Sequence, residues 1–166
     1  DAPSAITRLV DMDVQAYQLS SSILAVLAQR LVRKLCDHCK NPYEPTDQDL
    51  LELGIDAAIA QQKLAELKKL AATTVIGNSN PPTLPNPAGT DSSALTFYHH
   101  HGCDACSNTG YRGRIGIFEL MLIDEPVRRE ILNNSDAKTI QRVAQQQGMR
   151  LLREDGARQV VAGVTS

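Results

Sequence analysis

The chain has 166 residues, of which 17 are Lys or Arg and 19 are Asp or Glu, so its formal net charge at pH 7 is -2. A chain of this length can bury one sizeable core and carry a small additional element. The charge excludes an overall basic field that attracts nucleic acid or anionic lipid, and no apolar run approaches the roughly 20 residues of a membrane-spanning helix.

The N-terminal part of the chain is predicted to be helical. Asp1 or Ser4 can cap a first helix that tolerates Pro3 in its first turn. Its apolar stripe consists of Ile6, Leu9 and Val10. Residues 11–18 lead out of this helix, and residues 20–22 offer caps for a second, buried helix from Ile23 to about Arg30. Residues 31–35 either continue that helix or form a strand.

The middle of the chain is predicted to mix short helices with a long loop. Thr46 caps a short helix that Gly54 closes. Asp56 begins another helix, and residues 77–93, which are rich in Pro, Asn and Ser, predict a mobile loop. Residues 95–99 are expected to return as a strand.

The last third is predicted to be one strand followed by three helices. The strand covers residues 110–123. Asp124 caps a helix that turns Val127, Ile131 and Leu132 inward; Ser135 caps the next, which Gly148 ends; and residues 151–161 form the third, interrupted at Gly156. If residues 31–35 and 115–123 pair as neighbouring strands, both cysteine pairs lie at the tip of their hairpin.

All four cysteines lie in two C-x-x-C pairs, Cys36 with Cys39 and Cys103 with Cys106. The two intervening residues let one tight turn present both sulfurs of a pair to one ion at about 2.3 Å, and four thiolates complete a tetrahedral shell. The sequence therefore predicts a structural zinc site. A redox-active pair and two disulfides remain as alternatives, although one C-x-x-C suffices for redox chemistry and the chain is neither short nor rich in cysteine.

The histidines near these pairs are not spaced so that all of them could act as further ligands of the zinc ion. His38 is interpreted as a solvated residue or as a residue that contacts one of the metal ligands, and not as a metal ligand itself. His99, His100 and His101 are adjacent in an extended stretch, where successive side chains point to opposite sides, so they cannot all bind one metal. We expect surface positions for them, with a hydrogen bond from one of them to a zinc-bound sulfur as the alternative.

No sequence motif marks an active site. The chain lacks G-x-x-x-x-G-K-[ST], and Gly110, Gly113 and Gly116 are three residues apart with no Lys-Ser or Lys-Thr after them, which is not a phosphate-binding spacing. Neither a Ser-His-Asp or Cys-His set nor H-E-x-x-H is evident. We therefore expect no catalytic residue in this chain.

Two long segments carry a family resemblance. Residues 18–36, QLSSSILAVLAQRLVRKLC, and 102–116, GCDACSNTGYRGRIG, resemble the C-terminal part of the type II secretion and type IV pilus assembly ATPases. Residues 1–9 resemble the helix that follows this family's histidine box, and the tail 150–166 is similar as well. The resemblance covers the chain except for about residues 54–94, an insertion that looks longer than usual for the family.

The resemblance implies an α/β fold: the C-terminal portion of a RecA-like P-loop ATPase domain with a tetracysteine zinc-binding insertion and a C-terminal helical subdomain. It divides the chain into the end of the ATPase core (1–35), the zinc-binding subdomain with its long insertion (36–106), the final core strand region (107–123) and the helical subdomain (124–166). The chain, which does not begin with Met, is then expected to be a piece of a longer protein whose Walker motifs and histidine box precede Asp1.

The function implied is that of a cytoplasmic hexameric ATPase, peripheral to the bacterial inner membrane through its partners, that powers type II secretion by driving pseudopilus assembly. Its cofactors are expected to be ATP, Mg²⁺ and structural Zn²⁺. Its partners are other copies of itself and inner-membrane platform proteins, and no nucleic acid. By the same resemblance Arg114, and less directly Arg112, lie near the nucleotide base, where a guanidinium can stack on adenine. The alternative is that both are exposed surface charges.

Two other functions remain open. One is a type IV pilus assembly ATPase, including the MSHA type, although residues 19–22 and 109–114 look more like the secretion branch. The other is a stand-alone zinc-binding module that binds a protein through its long insertion.

Overall fold

The computed structural model describes residues 1–54 and 96–166, which belong to two compact units. The first unit consists of Asp1–Val32 and Gly116–Asp155, and the second of Arg33–Ile115 and Gly156–Ser166. Helices and strands occur together, which confirms the expected mixed α/β composition. The predicted helix after Asp56 and the predicted loop at 77–93 lie outside the described residues. In the two described ranges, no helix combines the length and apolar content needed to span a membrane.

The first unit begins with two helices, α1 (Ala2–Asp11) and α2 (Ala16–Ser22). Of the two predicted caps, Asp1 and Ser4, Asp1 caps α1: its Oδ1 accepts the Ser4 N–H at 2.8 Å. Asp13 then adopts a left-handed conformation, with φ 64°, and turns the chain into α2. Residues 20–22, expected to cap a following helix, are instead the last turn of α2.

The helix predicted over Ile23–Arg30 is wrong, because residues Ala25–Leu35 form strand β1. A short apolar run has no periodicity that separates a buried helix from a strand. In the structure the period is two: Val26 and Ala28 pack against the core, whereas Leu27 between them is 59% exposed. The strand also settles the open alternative for residues 31–35.

Strand β4 (Tyr111–Leu122) pairs with β1 in a two-stranded sheet, so the expected pairing of the two strands is confirmed, although residues 31–35 lie beside the beginning of β4 and not beside its end. The Ile123 N–H donates to Leu24 O and the Cys36 N–H donates to Gly110 O, each at 2.9 Å. The beginning of each strand therefore lies beside the end of the other, which makes the pair antiparallel. Cys36 follows β1 directly.

Three helices follow β4: α4 (Glu125–Leu132), α5 (Ala137–Gln146) and α6 (Leu152–Val161). Asp124 caps α4 as predicted, but Leu132 is 50% exposed, because the buried stripe of α4 is the i, i+4 pair Val127 and Ile131. The cap of α5 is Asp136 and not Ser135, whose hydroxyl donates to a Glu130 carboxylate oxygen at 2.6 Å. Helix α6 continues through residue 156, so the predicted interruption is absent.

The core of the first unit lies between these helices and the inner face of the strands. Its buried residues come from α1, α2, the end of β4, α4, α5 and the segments that follow β4 and α5; they are Ala2, Ile6, Leu19, Met121, Ile123, Val127, Ile131, Ile140, Ala144 and Met149. One carboxylate is buried with them. Glu119 is 2% exposed and accepts the Ala2 N–H at 2.7 Å and the Leu152 N–H at 3.2 Å. It thus contacts the N-termini of α1 and α6, where unpaired N–H groups favour an anion.

The second unit contains a smaller antiparallel pair, β2 (Asn41–Tyr43) and β3 (Phe97–His99), and helix α3 (Asp47–Glu52). The predicted return strand is therefore present over three of its residues, and Asn41–Tyr43 forms its partner strand. Thr46 caps α3 as predicted, in a reciprocal capping box with Asp49. Phe97 and Leu50 form the small core, against which Val160 and Val161 of α6 pack.

Candidate metal centre

The first cysteine pair is formed by a tight turn at the end of β1. The Cys39 N–H and the Lys40 N–H both donate to Cys36 O, at 3.3 and 3.1 Å, so the chain reverses within the C-x-x-C segment. The Cys36 N–H is itself bonded to Gly110 O. This turn places Cys36 and Cys39 on the same side of the backbone.

The second pair is formed by a single 3₁₀ turn over Asp104–Cys106. The N–H groups of Cys106 and Asn108 donate to Cys103 O at 3.1 and 2.9 Å. Ser107 and Asn108 then take left-handed conformations, with φ 52° and 60°, which end the turn and lead the chain toward β4. The two cysteine pairs are therefore formed by two different local structures, a tight turn after β1 and a 3₁₀ turn before β4.

The four sulfur atoms form one group in which all lie within 4.8 Å of one another. Cys36 Sγ lies 3.9 Å from Cys103 Sγ, and Cys106 Sγ lies 3.8 Å from both Cys39 Sγ and Cys103 Sγ. Four sulfurs at about 2.3 Å from a central zinc ion are separated along each tetrahedral edge by about 3.8 Å. The donor set and its spacing therefore fit a tetrahedral thiolate-bound divalent ion.

Backbone donors surround Cys106. The N–H groups of Cys103 and Gly110 donate to Cys106 Sγ at 3.3 and 3.2 Å. Burial raises the pKa of this thiol, but the two backbone hydrogen bonds favour the thiolate and the net effect lowers its pKa to about 6. Backbone N–H···S bonds of this kind hold a metal-bound thiolate in place and stabilise its charge.

The other chemistries considered for the cysteines are disfavoured by geometry. All four are free, and sulfur separations of 3.8 Å and more are far beyond the about 2.05 Å of a disulfide. Burial and the neighbouring thiols raise the pKa of Cys39 to about 12, so it is a poor nucleophile without a metal. Cys106, whose pKa is lowered, is only 7% exposed, which shields it from a redox partner.

Two lysines flank the first pair and share one carboxylate. Lys34 Nζ lies 3.1 Å from Asp37 Oδ2 and Lys40 Nζ lies 3.3 Å from Asp37 Oδ1. Partial burial opposes the charge on Asp37, but the hydrogen bonds from both lysines lower its pKa. Asp37 is thereby held as an anion paired with cations, and it does not enter the group of metal donors.

Within the described ranges, the group of potential metal donors contains no histidine. His38, His99, His100 and His101 are all exposed, as expected. His99 stacks on Tyr43 at 3.7 Å between ring centroids, and His100 Nδ1 lies 3.2 Å from the Tyr111 hydroxyl.

The two arginines singled out in the sequence, Arg112 and Arg114, are exposed on β4. Their proximity to a nucleotide stays a prediction. Two contributors to the centre were missed by sequence reasoning: Gly110 as an N–H donor to sulfur, and Lys40 as the cation behind the first turn. Gly110 had a visible signal, because a glycine four residues after the last cysteine of the pair allows the positive φ of 74° found here.

Comparisons with known proteins agree on one family. The protein-family model described as "Type II/IV secretion system protein" matches residues 1–166. The chain is 39% identical over 165 residues to the type II secretion system protein E of Pseudomonas aeruginosa, covering 99% of this chain and 26% of that protein. It is 32% identical over 166 residues to the type IV pilus assembly ATPase PilB of Thermus thermophilus, covering 100% of this chain and 15% of PilB.

A third relative is the type IV pilus assembly ATPase TfpB of Acinetobacter baylyi, which is 35% identical over 166 residues, 100% of this chain and 23% of TfpB. The chain thus spans between 15% and 26% of the length of these three relatives.

Proposed function

Because the chain belongs to the type II/IV secretion system protein family, we propose that it is the C-terminal segment of a hexameric ATPase that powers type II secretion by driving pseudopilus assembly. One observation carries this proposal: the similarity to proteins named as secretion and pilus ATPases extends over 99% to 100% of the chain. Nucleotide hydrolysis itself is assigned to the longer protein, whose Walker motifs lie outside this segment.

The RecA-like core is proposed to include residues 1–35 and 107–123, and the outer face of the β1–β4 sheet supports this. In the second half of β4 the buried residues Ile117, Glu119 and Met121 alternate with exposed Phe118 and Leu120. Both faces of this half of the strand are therefore mostly apolar, which is typical of strands inside an α/β sheet that is covered on both sides. In the full-length protein, further core elements are proposed to cover this second face.

The tetracysteine centre is proposed to bind structural zinc and to define the subdomain 36–106, followed after β4 by the helical subdomain 124–166. Cys36, Cys39, Cys103 and Cys106 supply the four thiolates, and an ion held by all four has no open position for substrate. The ion ties the ends of the long insertion together, which opposes the entropy of closing such a loop. Zinc thus holds structure and takes no part in hydrolysis.

Arg114, with Arg112 as the second candidate, is proposed to contact the base of bound ATP, with Mg²⁺ as the metal of the nucleotide. Both guanidinium groups are exposed and so are accessible to a ligand. The protein is proposed to act in the cytoplasm, peripheral to the bacterial inner membrane, through contacts with platform proteins and with other copies of itself.

The pilus branch is the second candidate, since PilB and TfpB are also similar along the whole chain. Deleting the gene and measuring both exported enzymes in the culture supernatant and surface pili separates the two. We expect loss of export with pili retained, restored by the intact gene. Loss of pili alone would assign the pilus branch, and loss of neither would leave the zinc-binding module as the function.

A further inference from the structure

The last four residues of the chain form a segment that contacts both sides of the first cysteine turn. We call Gly163–Ser166 the C-terminal strap. It follows α6, whose last turn hydrogen-bonds the strap: the Val164 N–H donates to Gln159 O at 2.9 Å. The carbonyl groups of Gly163 and Val164 accept hydrogen bonds from residues next to the cysteines.

Before the first cysteine, the end of β1 holds the strap by two hydrogen bonds. The Leu35 N–H donates to Val164 O at 2.8 Å, and the Thr165 hydroxyl donates to Arg33 O at 2.8 Å. Leu35 and Thr165 are only 1% and 7% exposed, so these bonds are shielded from water. Buried hydrogen bonds of this kind are costly to break without a replacement partner.

After the second cysteine, Lys40 holds the strap by a charged hydrogen bond. Lys40 Nζ donates to Gly163 O at 2.9 Å and lies 4.9 Å from the centre of the Tyr98 ring. Its side chain is 10% exposed, and Asp37, inside the C-x-x-C turn, holds the same ammonium group. Charged donors make the stronger hydrogen bonds, so this is the contact that fixes the strap to the turn.

The strap fits closely enough to exclude a side chain at Gly163. A Cβ atom at this position would lie 2.7 Å from Tyr98 Cε2, and the residue has φ +67°, which side chains rarely allow. Tyr98 therefore closes over the strap, and Lys40 bridges the ring and the strap carbonyl.

From these contacts we propose that the first cysteine turn is a metal-dependent anchor for the C-terminal strap. Leu35 immediately precedes Cys36 and Lys40 immediately follows Cys39, so the geometry of the turn sets the position of both contacts. A metal ion that fixes the turn also fixes the strap, and the coupling is reciprocal: a released strap weakens metal binding by the same factor. This inference rests on the proposed metal site.

The experiment measures bound zinc first and then hydrogen exchange of the strap and of the Leu35 amide, with and without a chelator. We expect one zinc per chain and slow exchange, becoming roughly tenfold faster or more when zinc is removed, as for loss of a charged hydrogen bond. Exchange within α5, in the first unit, reports whether the metal-free protein has simply unfolded.

Lys40→Ala tests the anchor without removing a cysteine, and Lys34→Ala is its matched control, because Lys34 also pairs with Asp37 but does not contact the strap. With zinc present, Lys40→Ala is expected to speed strap exchange and weaken zinc affinity, and Lys34→Ala to leave both unchanged. The proposed anchor would be wrong if the two variants had the same strap exchange rates and zinc affinities, or if the strap exchange rate did not change when zinc is removed. Absence of bound zinc in the unaltered protein would overturn the metal site itself.

Discussion

At the scale of single residues, the four cysteines differ although their sequence contexts look alike. Cys106 accepts two backbone N–H bonds and has its pKa lowered to about 6, whereas Cys39 is surrounded by other thiols and has its pKa raised to about 12. Four thiols so close together cannot all ionise without a cation. The group is therefore arranged for a divalent ion that neutralises part of this charge.

Removing one ligand tests this arrangement. We expect Cys103→Ser to reduce zinc affinity by more than the roughly 10–100-fold that loss of an outer contact causes. Asp104→Asn, an exposed change inside the same turn, should retain zinc. In the unaltered protein, zinc affinity should fall as the pH falls, because protons compete for the thiolates, and it should fall more steeply below about pH 6, where protons also compete for Cys106. Zinc content by elemental analysis is the measurement, and an unchanged content in Cys103→Ser would exclude a four-cysteine site.

Arg114 is tested in the full-length protein. If its guanidinium contacts the base, Arg114→Ala should raise the KM for ATP by about tenfold, the factor that follows from losing roughly 1.4 kcal/mol of binding. Arg142→Ala, an exposed arginine on α5, serves as the control. ATPase kinetics that are identical in both variants would make Arg114 an ordinary surface charge.

At the scale of elements, Glu119 connects helices that are far apart in the chain. It lies on β4, and its two oxygens accept the first N–H of α1 and the first N–H of α6. A reciprocal contact lies beside it, where Asp155 of α6 accepts the Phe118 N–H at 3.0 Å. Strand β4 and the start of α6 are thus joined by two hydrogen bonds: Glu119 of β4 accepts one from α6, and Asp155 of α6 accepts one from β4.

Glu119→Gln should therefore destabilise the protein by about 1–3 kcal/mol, because the amide can accept from only one of the two N–H groups and turns a donor toward the other. Glu119→Leu removes both hydrogen bonds and should cost more. Glu125→Gln is the control, since Glu125 is exposed and, among residues 1–54 and 96–166, forms an ion pair with Arg129 of the same helix, at 3.6 Å. Denaturant unfolding monitored by circular dichroism measures all three, and equal stabilities would contradict the role of Glu119.

At the scale of the whole molecule, the polypeptide passes between the two units along β1, β4 and α6. The first unit is built around apolar residues of helices and strands, and the second around the cysteine group and a small cluster containing Phe97. The exposed face of β4 and the exposed Arg114 are the two features to which the proposed longer protein would give a role.

Sequence alone was sufficient for several features whose signal is local. Thr46 and Asp124 were identified as helix caps, and Asp1 as one of two candidates, because a cap depends on side-chain chemistry within three residues, although Ser135 was predicted where Asp136 is the cap. The four cysteines were grouped correctly because two C-x-x-C turns with no other cysteine leave few arrangements. The family followed from two long motif segments. Such segments identify a family even when the secondary structure between them cannot be predicted from the sequence.

Tertiary structure alone decided what depends on partners distant in sequence. Residues 25–30 became a strand and not a helix because β4 supplies their hydrogen bonds, which no local pattern encodes. The burial of Glu119 depends on two helix N-termini brought to β4 from residues 2 and 152. Nothing in the sequence pairs Lys40 with Gly163, and Lys40 holds the C-terminal strap only because the fold returns Gly163 to the first cysteine turn.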